Sequence, residues 1–108
     1  MQKQPDILFI VLDTLRRDRL SAYGHPQATS PAFDAFAADA TLFERAVAPA
    51  QWTVPSHTSM FTGTYPTTHQ VTQADSQLSP AYPTLAEILR GSGYHTAAFC
   101  NNPLVGVL

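Results

Sequence analysis

Residue types that do chemistry on esters stand in two short stretches of this 108-residue chain. In Gln51-Trp52-Thr53-Val54-Pro55-Ser56-His57 a hydroxyl and an imidazole are four positions apart, so a helix starting at the threonine would place them on the same side, one turn from each other. Thr53 admits two readings. It is a common helix N-cap. It is also a hydroxyl at a helix start, where the unsatisfied backbone N–H groups carry a partial positive charge that suits a sulfate or phosphate oxygen. His57 is open to proton transfer, to hydrogen bonding with the anion or the hydroxyl, and to a plain structural role. A threonine hydroxyl is a poor nucleophile at neutral pH and needs a base or a metal. Asp13 closes an apolar run, and its carboxylate suits a hard divalent cation.

The elements that would position these residues follow from the pattern. Ile7 to Leu12 form a continuous apolar run bounded by Pro5 and Asp13, which predicts a strand buried on both faces of a parallel sheet. Asp13 then falls at the C-terminal edge, where open α/β sheets bind ligands. Ser30-Pro31 reads as a helix start, with Phe33, Phe36, Ala37 and Ala40 as the apolar stripe that packs on the sheet.

Residues 49–83 are rich in Pro, Thr, Ser and Gln and read as a long functional loop, within which Pro55 to Phe61 form a short helix stopped by Gly63. Thr84-Leu85-Ala86-Glu87 is a capping box; Gly91 or Gly93 ends that helix, and Tyr94 to Cys100 reads as a second buried strand. Cys100 is then a small buried apolar residue. The order predicts an α/β fold with a parallel sheet and right-handed crossovers. The apolar ending, Asn101 to Leu108, reads as an interrupted chain, the opening section of a larger α/β protein.

Composition narrows the partners. With 44% hydrophobic and 13% charged residues the chain falls in the range of one soluble domain, and a net charge of -2 gives no reason to expect nucleic acid or an acidic membrane. Arg16, Arg17 and Arg19 are either a solvated turn or a patch that attracts an anionic substrate. One cysteine rules out an internal disulfide framework. The N-terminal apolar run is too short for a membrane span and lacks a signal-peptide cleavage site, which points to the cytoplasm.

The stretches "PDILFIVLDTLRRDRLSAYG", "SPAFDAFAADATLFERAVAPAQWTVPSHTSMFTGTYPTTH" and "PTLAEILRGSGYHTAAF", in this order, resemble the N-terminal portion of the sulfatase family within the alkaline phosphatase superfamily. The resemblance implies that residues 1–108 are the N-terminal segment of a single catalytic domain, an alkaline-phosphatase-like α/β sandwich with a largely parallel central sheet. It also implies a divalent metal ion, calcium, manganese or magnesium, and a covalent intermediate. Asp13 matches the metal-binding aspartate after the first strand. Thr53 falls on the nucleophile, whose oxygen also touches the metal.

Three departures separate the chain from that pattern. The signature C/S-x-P-S-R reads Thr53-Val54-Pro55-Ser56-His57 here, so formylglycine is not available and His57 replaces an arginine that holds the nucleophile and its charge. Thr14 stands where a second aspartate often follows the first. The G-K-W-H-type signature falls on Cys100-Asn101-Asn102-Pro103, leaving Asn101 or Asn102 as hydrogen-bond donors to substrate. His69 resembles a recurrent feature after the nucleophile helix, and a structural hydrogen bond accounts for it equally well.

The expected function is metal-dependent hydrolysis of sulfate or phosphate esters, with Thr53 and His57 catalytic, Asp13 and Thr53 on the metal, and His57 and Asn102 on a small anionic ester substrate. Phosphodiester cleavage or phosphotransfer is the alternative within the superfamily. An inert piece of the fold is the alternative outside it. In either case the 108 residues alone are expected to be inactive, because further metal ligands come from later positions in the family.

Overall fold

A computed structural model describes residues 4–105. The chain divides into two units, Met1–Ala46 and Val47–Leu108. Among the described residues there are four α-helices, two 3-10 turns and no strand. No helix among them is long and apolar enough to cross a membrane. Expectations resting on residues 1–3 and 106–108 lie outside the described residues.

In the first unit, Ser30 and Pro31 begin helix α1, Pro31–Ala38, with proline at its first position as the sequence predicts. The Ser30 hydroxyl does not cap the helix amides; it donates to Asp34 Oδ1 at 2.9 Å instead. Ser21 donates to the other oxygen of the same carboxylate, which ties the 3-10 turn Ser21–Tyr23 to α1. The Ser21 hydroxyl, with Ser30 adding to it, holds the Asp34 carboxyl below the usual carboxylate range. Phe33 and Phe36 remain exposed. The expected packing of α1 on a sheet is therefore corrected to packing on this turn.

The second unit contains α2, Thr53–Thr62, α3, Pro66–His69, and α4, Leu85–Gly91. Helix α2 ends where Gly63 takes φ 68°, a left-handed conformation that costs glycine little, and its amide bonds the Ser59 carbonyl at 2.8 Å. Helix α4 opens on the predicted box: Thr84 Oγ1 accepts from the Glu87 amide, and Glu87 Oε2 accepts from the Thr84 amide at 2.8 Å. It closes on Gly93 at φ 89°, with Tyr94 N–H donating to the Leu89 carbonyl and Gly93 N–H to that of Arg90, a Schellman motif. Both α3 and α4 pack against α2. The buried residues gather there: Val54, Pro55, His57, Thr58 and Ser59 on α2, His69 on α3, and Val71 just beyond.

The two predicted strands are not formed. Leu8 is 84% exposed, Ile10 68% and Phe99 99%. A strand buried on both faces needs a hydrogen-bonded neighbour on each edge and cover on each face, and the described residues supply neither to residues 7–12 or 94–100. Cys100 is likewise exposed rather than buried.

Candidate active site

Thr53 is the first residue of α2, and Trp52 occupies the N-cap with extended backbone. The capping reading of Thr53 is thereby corrected by one position, because the chain enters the helix a residue earlier than the hydroxyl would need to cap it. In any helix the first amides have no acceptor within it. Here Pro55 has no N–H, and that of Ser56 reaches the Trp52 carbonyl at 3.3 Å. Thr53 is half-buried and stands at the positive end of a ten-residue helix.

His57 is buried on the same helix, and its Nδ1 lies 2.9 Å from the Thr53 backbone carbonyl. A carbonyl only accepts, so Nδ1–H is the donor in this bond. The predicted one-turn relation holds. The atom that His57 meets is the oxygen of the residue 53 backbone, a contact that fixes the ring against the helix start. Phe61 lies a further turn on, with its ring centroid 6.2 Å from the imidazole.

His69, for which the sequence leaves a family feature and a structural hydrogen bond open, makes structural hydrogen bonds here. It is buried at the end of α3, and Nε2 lies 3.0 Å from Ser59 Oγ in the middle of α2. The Val71 amide donates to Nδ1 at 3.0 Å, so Nδ1 is the unprotonated nitrogen and Nε2–H donates to Ser59. Burial holds the ring below the ordinary histidine pKa, opposed by a weaker backbone interaction with Pro55. Nδ1 therefore donates in His57 and accepts in His69. Local signals do not reveal this pair, because Ser59 and His69 are ten residues apart in a polar segment.

Asp13 belongs to the first unit. It is exposed in a turn closed by the Leu15 amide on the Leu12 carbonyl at 3.3 Å. Thr14 occupies the third position of that turn at φ 62°, where a β-branched residue is strained. The carboxylate and the Thr53 hydroxyl are hard oxygen donors, right in kind for a divalent cation but too few for one that takes about six. Among the described residues no group of three His, Cys, Asp or Glu side chains is placed to hold an ion.

Asn102 uses its side-chain oxygen locally, accepting from the Leu104 amide at 2.9 Å. Two of the clustered arginines are engaged as well. Arg16 pairs with Asp18 at 2.6 Å, while Arg17 donates to the Glu44 carbonyl and lies 5.3 Å from the centre of the Tyr23 ring. The cluster is an exposed turn in this structure, with Arg16 paired inside it and Arg17 bonded to Glu44. The structure thus unites Thr53 and His57 in one helix, adds His69 to their surroundings, and leaves Asp13 in a separate unit.

The sulfatase family profile matches residues 5–105. The chain belongs to the sulfatase family. An ulvan-active sulfatase of Formosa agariphila is 34% identical over 94 residues, covering 87% of this chain and 18% of that protein. An N-acetylgalactosamine-6-O-sulfatase of Bacteroides thetaiotaomicron is 30% identical over 99 residues, covering 87% of this chain and 19% of that protein. Bovine arylsulfatase A is 35% identical over 100 residues, covering 85% and 19% respectively. The chain therefore spans about a fifth of the length of these sulfatases. No solved structure matches it. Sulfatase membership implies an alkaline-phosphatase-like α/β fold, a class to which the helical part described here contributes α1 to α4.

Proposed function

We propose that residues 1–108 are the N-terminal segment of one sulfatase-family catalytic domain, with a largely parallel central sheet, that hydrolyses sulfate esters by way of Thr53. The observation carrying this reading is the seat of Thr53 at the first position of α2 with His57 bonded to its carbonyl. Thr53 Oγ1 attacks sulfur, the bond from sulfur to the ester oxygen breaks, and the alcohol leaves with that electron pair and a proton. Water then attacks the sulfated threonine and releases sulfate, restoring the hydroxyl. The positive end of α2 meets the negative charge on the transferred group, a contribution that is usually large in such reactions.

His57 holds the helix start through Nδ1–H and keeps Nε2 for the substrate or a proton. Asn102 adds hydrogen-bonding capacity toward the anion. Asp13 and Thr53 would be two members of a larger ligand set for a divalent cation, which when bound acidifies a coordinated hydroxyl and polarises the ester. The same residues suit phosphate esters, and a threonine nucleophile without formylglycine favours that second reading.

The test is a parallel assay of the intact protein with an aryl sulfate, a phosphate monoester and a phosphodiester, with added calcium, manganese or magnesium and again after chelation. Metal-dependent turnover of the sulfate above both phosphates supports the reading. Faster phosphodiester cleavage would transfer it to phosphoryl chemistry, and no turnover of any ester by folded, metal-loaded protein would leave the inert alternative.

A further inference from the structure

We propose that His69 is a positioning residue that holds the nucleophile-bearing helix α2 in place through its Nε2–H donor, and that protonation of its ring loosens this hold. The geometry has two parts. Nε2–H reaches Ser59 Oγ at 3.0 Å, in the middle of α2. Nδ1 accepts from the amide of Val71, a fully buried residue, at 3.0 Å. One imidazole therefore links α2 to the buried segment that follows α3. A protonated ring has no acceptor for the Val71 amide, so two N–H donors would face each other in a buried place.

The titratable and charged groups on the surrounding elements are His57 on α2, Tyr82, whose hydroxyl bonds the Thr68 carbonyl, and Glu87 and Arg90 on α4. Burial is the main cause that holds the His69 ring below the ordinary histidine pKa. Acidification thus acts on this contact through the ring itself. Only the consequence for turnover rests on reading Thr53 as the nucleophile; the hold on α2 stands apart from it.

Two substitutions separate the ring's two bonds. His69→Gln can keep a donor toward Ser59 but removes the acceptor for Val71, whereas His69→Asn can keep that acceptor and cannot reach Ser59. Nitrogen-detected imaging of the histidine tautomers and amide hydrogen exchange along α2 are measured against pH in the nitrogen-labelled protein. The expected result is an Nε2–H tautomer for neutral His69 and α2 exchange that quickens roughly tenfold or more as the ring protonates. In His69→Gln, which lacks the Val71 acceptor at every pH, α2 should exchange as fast as in the protonated wild type and without pH dependence, and in His69→Asn, which lacks the Ser59 donor, it should exchange fast at every pH. An Nδ1–H tautomer, or α2 exchange that is the same in wild type and His69→Asn, would overturn the proposal. With an aryl sulfate, the acid limb of kcat should follow the His69 titration and vanish in His69→Gln. If exchange behaves as expected and no ester is turned over, the function reading fails while the positioning role stands.

Discussion

Thr53 and Asp13 are the two residues on which the chemistry is expected to turn, and their surroundings differ. Thr53 opens a helix whose flank is buried, whose end is set by a left-handed glycine, and whose middle is held by His69. Asp13 follows an apolar run that stays exposed, in a turn whose left-handed position is filled by Thr14. The contrast separates two kinds of information. Helix starts, stops and caps are settled within a few residues of each other, whereas a buried parallel strand is settled by partners distant in sequence.

The sharpest way to break this comparison is to shorten an apolar side chain in each region. Val71 is fully buried, so Val71→Ala should lower the stability of the second unit by about 2 kcal/mol, read by chemical denaturation. Leu8→Ala, at a side chain 84% exposed, should change it by less than about 0.5 kcal/mol. A comparable loss in both variants would mean that residues 7–12 are covered after all.

Next in size is Gly63→Ala. A Cβ there meets no atom within 4 Å, so the expected loss of about 1–2 kcal/mol comes from the positive φ alone. An unchanged melting temperature would contradict the assigned helix stop. Thr84→Ala removes the capping hydroxyl of α4 and should cost about 1 kcal/mol, with Thr84→Ser retaining most of it. The smallest effect has the opposite sign. Thr14→Gly should gain a few tenths of a kcal/mol, because relief of the left-handed strain is largely offset by the greater backbone entropy of glycine in the unfolded chain.

Much of the helical structure is legible in the sequence. The Ser30-Pro31 start, the Gly63 stop and the Thr84/Glu87 box all stand where local chemistry puts them. Helix α3 is not, since four residues in a polar stretch show no periodicity; Pro66 after Tyr65, proline at a first helical position, is its one signal. The strands expected at 7–12 and 94–100 are not formed among the described residues, which do not provide the neighbours such strands depend on. At the site, the spacing of Thr53 and His57 predicts their shared helix but not which atom the imidazole meets. His69 is legible as a candidate for a structural hydrogen bond, but its partner Ser59 is not, because that tie crosses between helices.

The central claim is that the Thr53 hydroxyl becomes covalently attached to the group it removes from the ester. Rapid acid quench of the intact protein during turnover, followed by peptide mass spectrometry, tests this most directly. A sulfo or phospho group on the peptide at Thr53, absent from Thr53→Ala together with a loss of turnover by several orders of magnitude, is the predicted result. Undiminished turnover by Thr53→Ala, or an adduct on another residue, would contradict it.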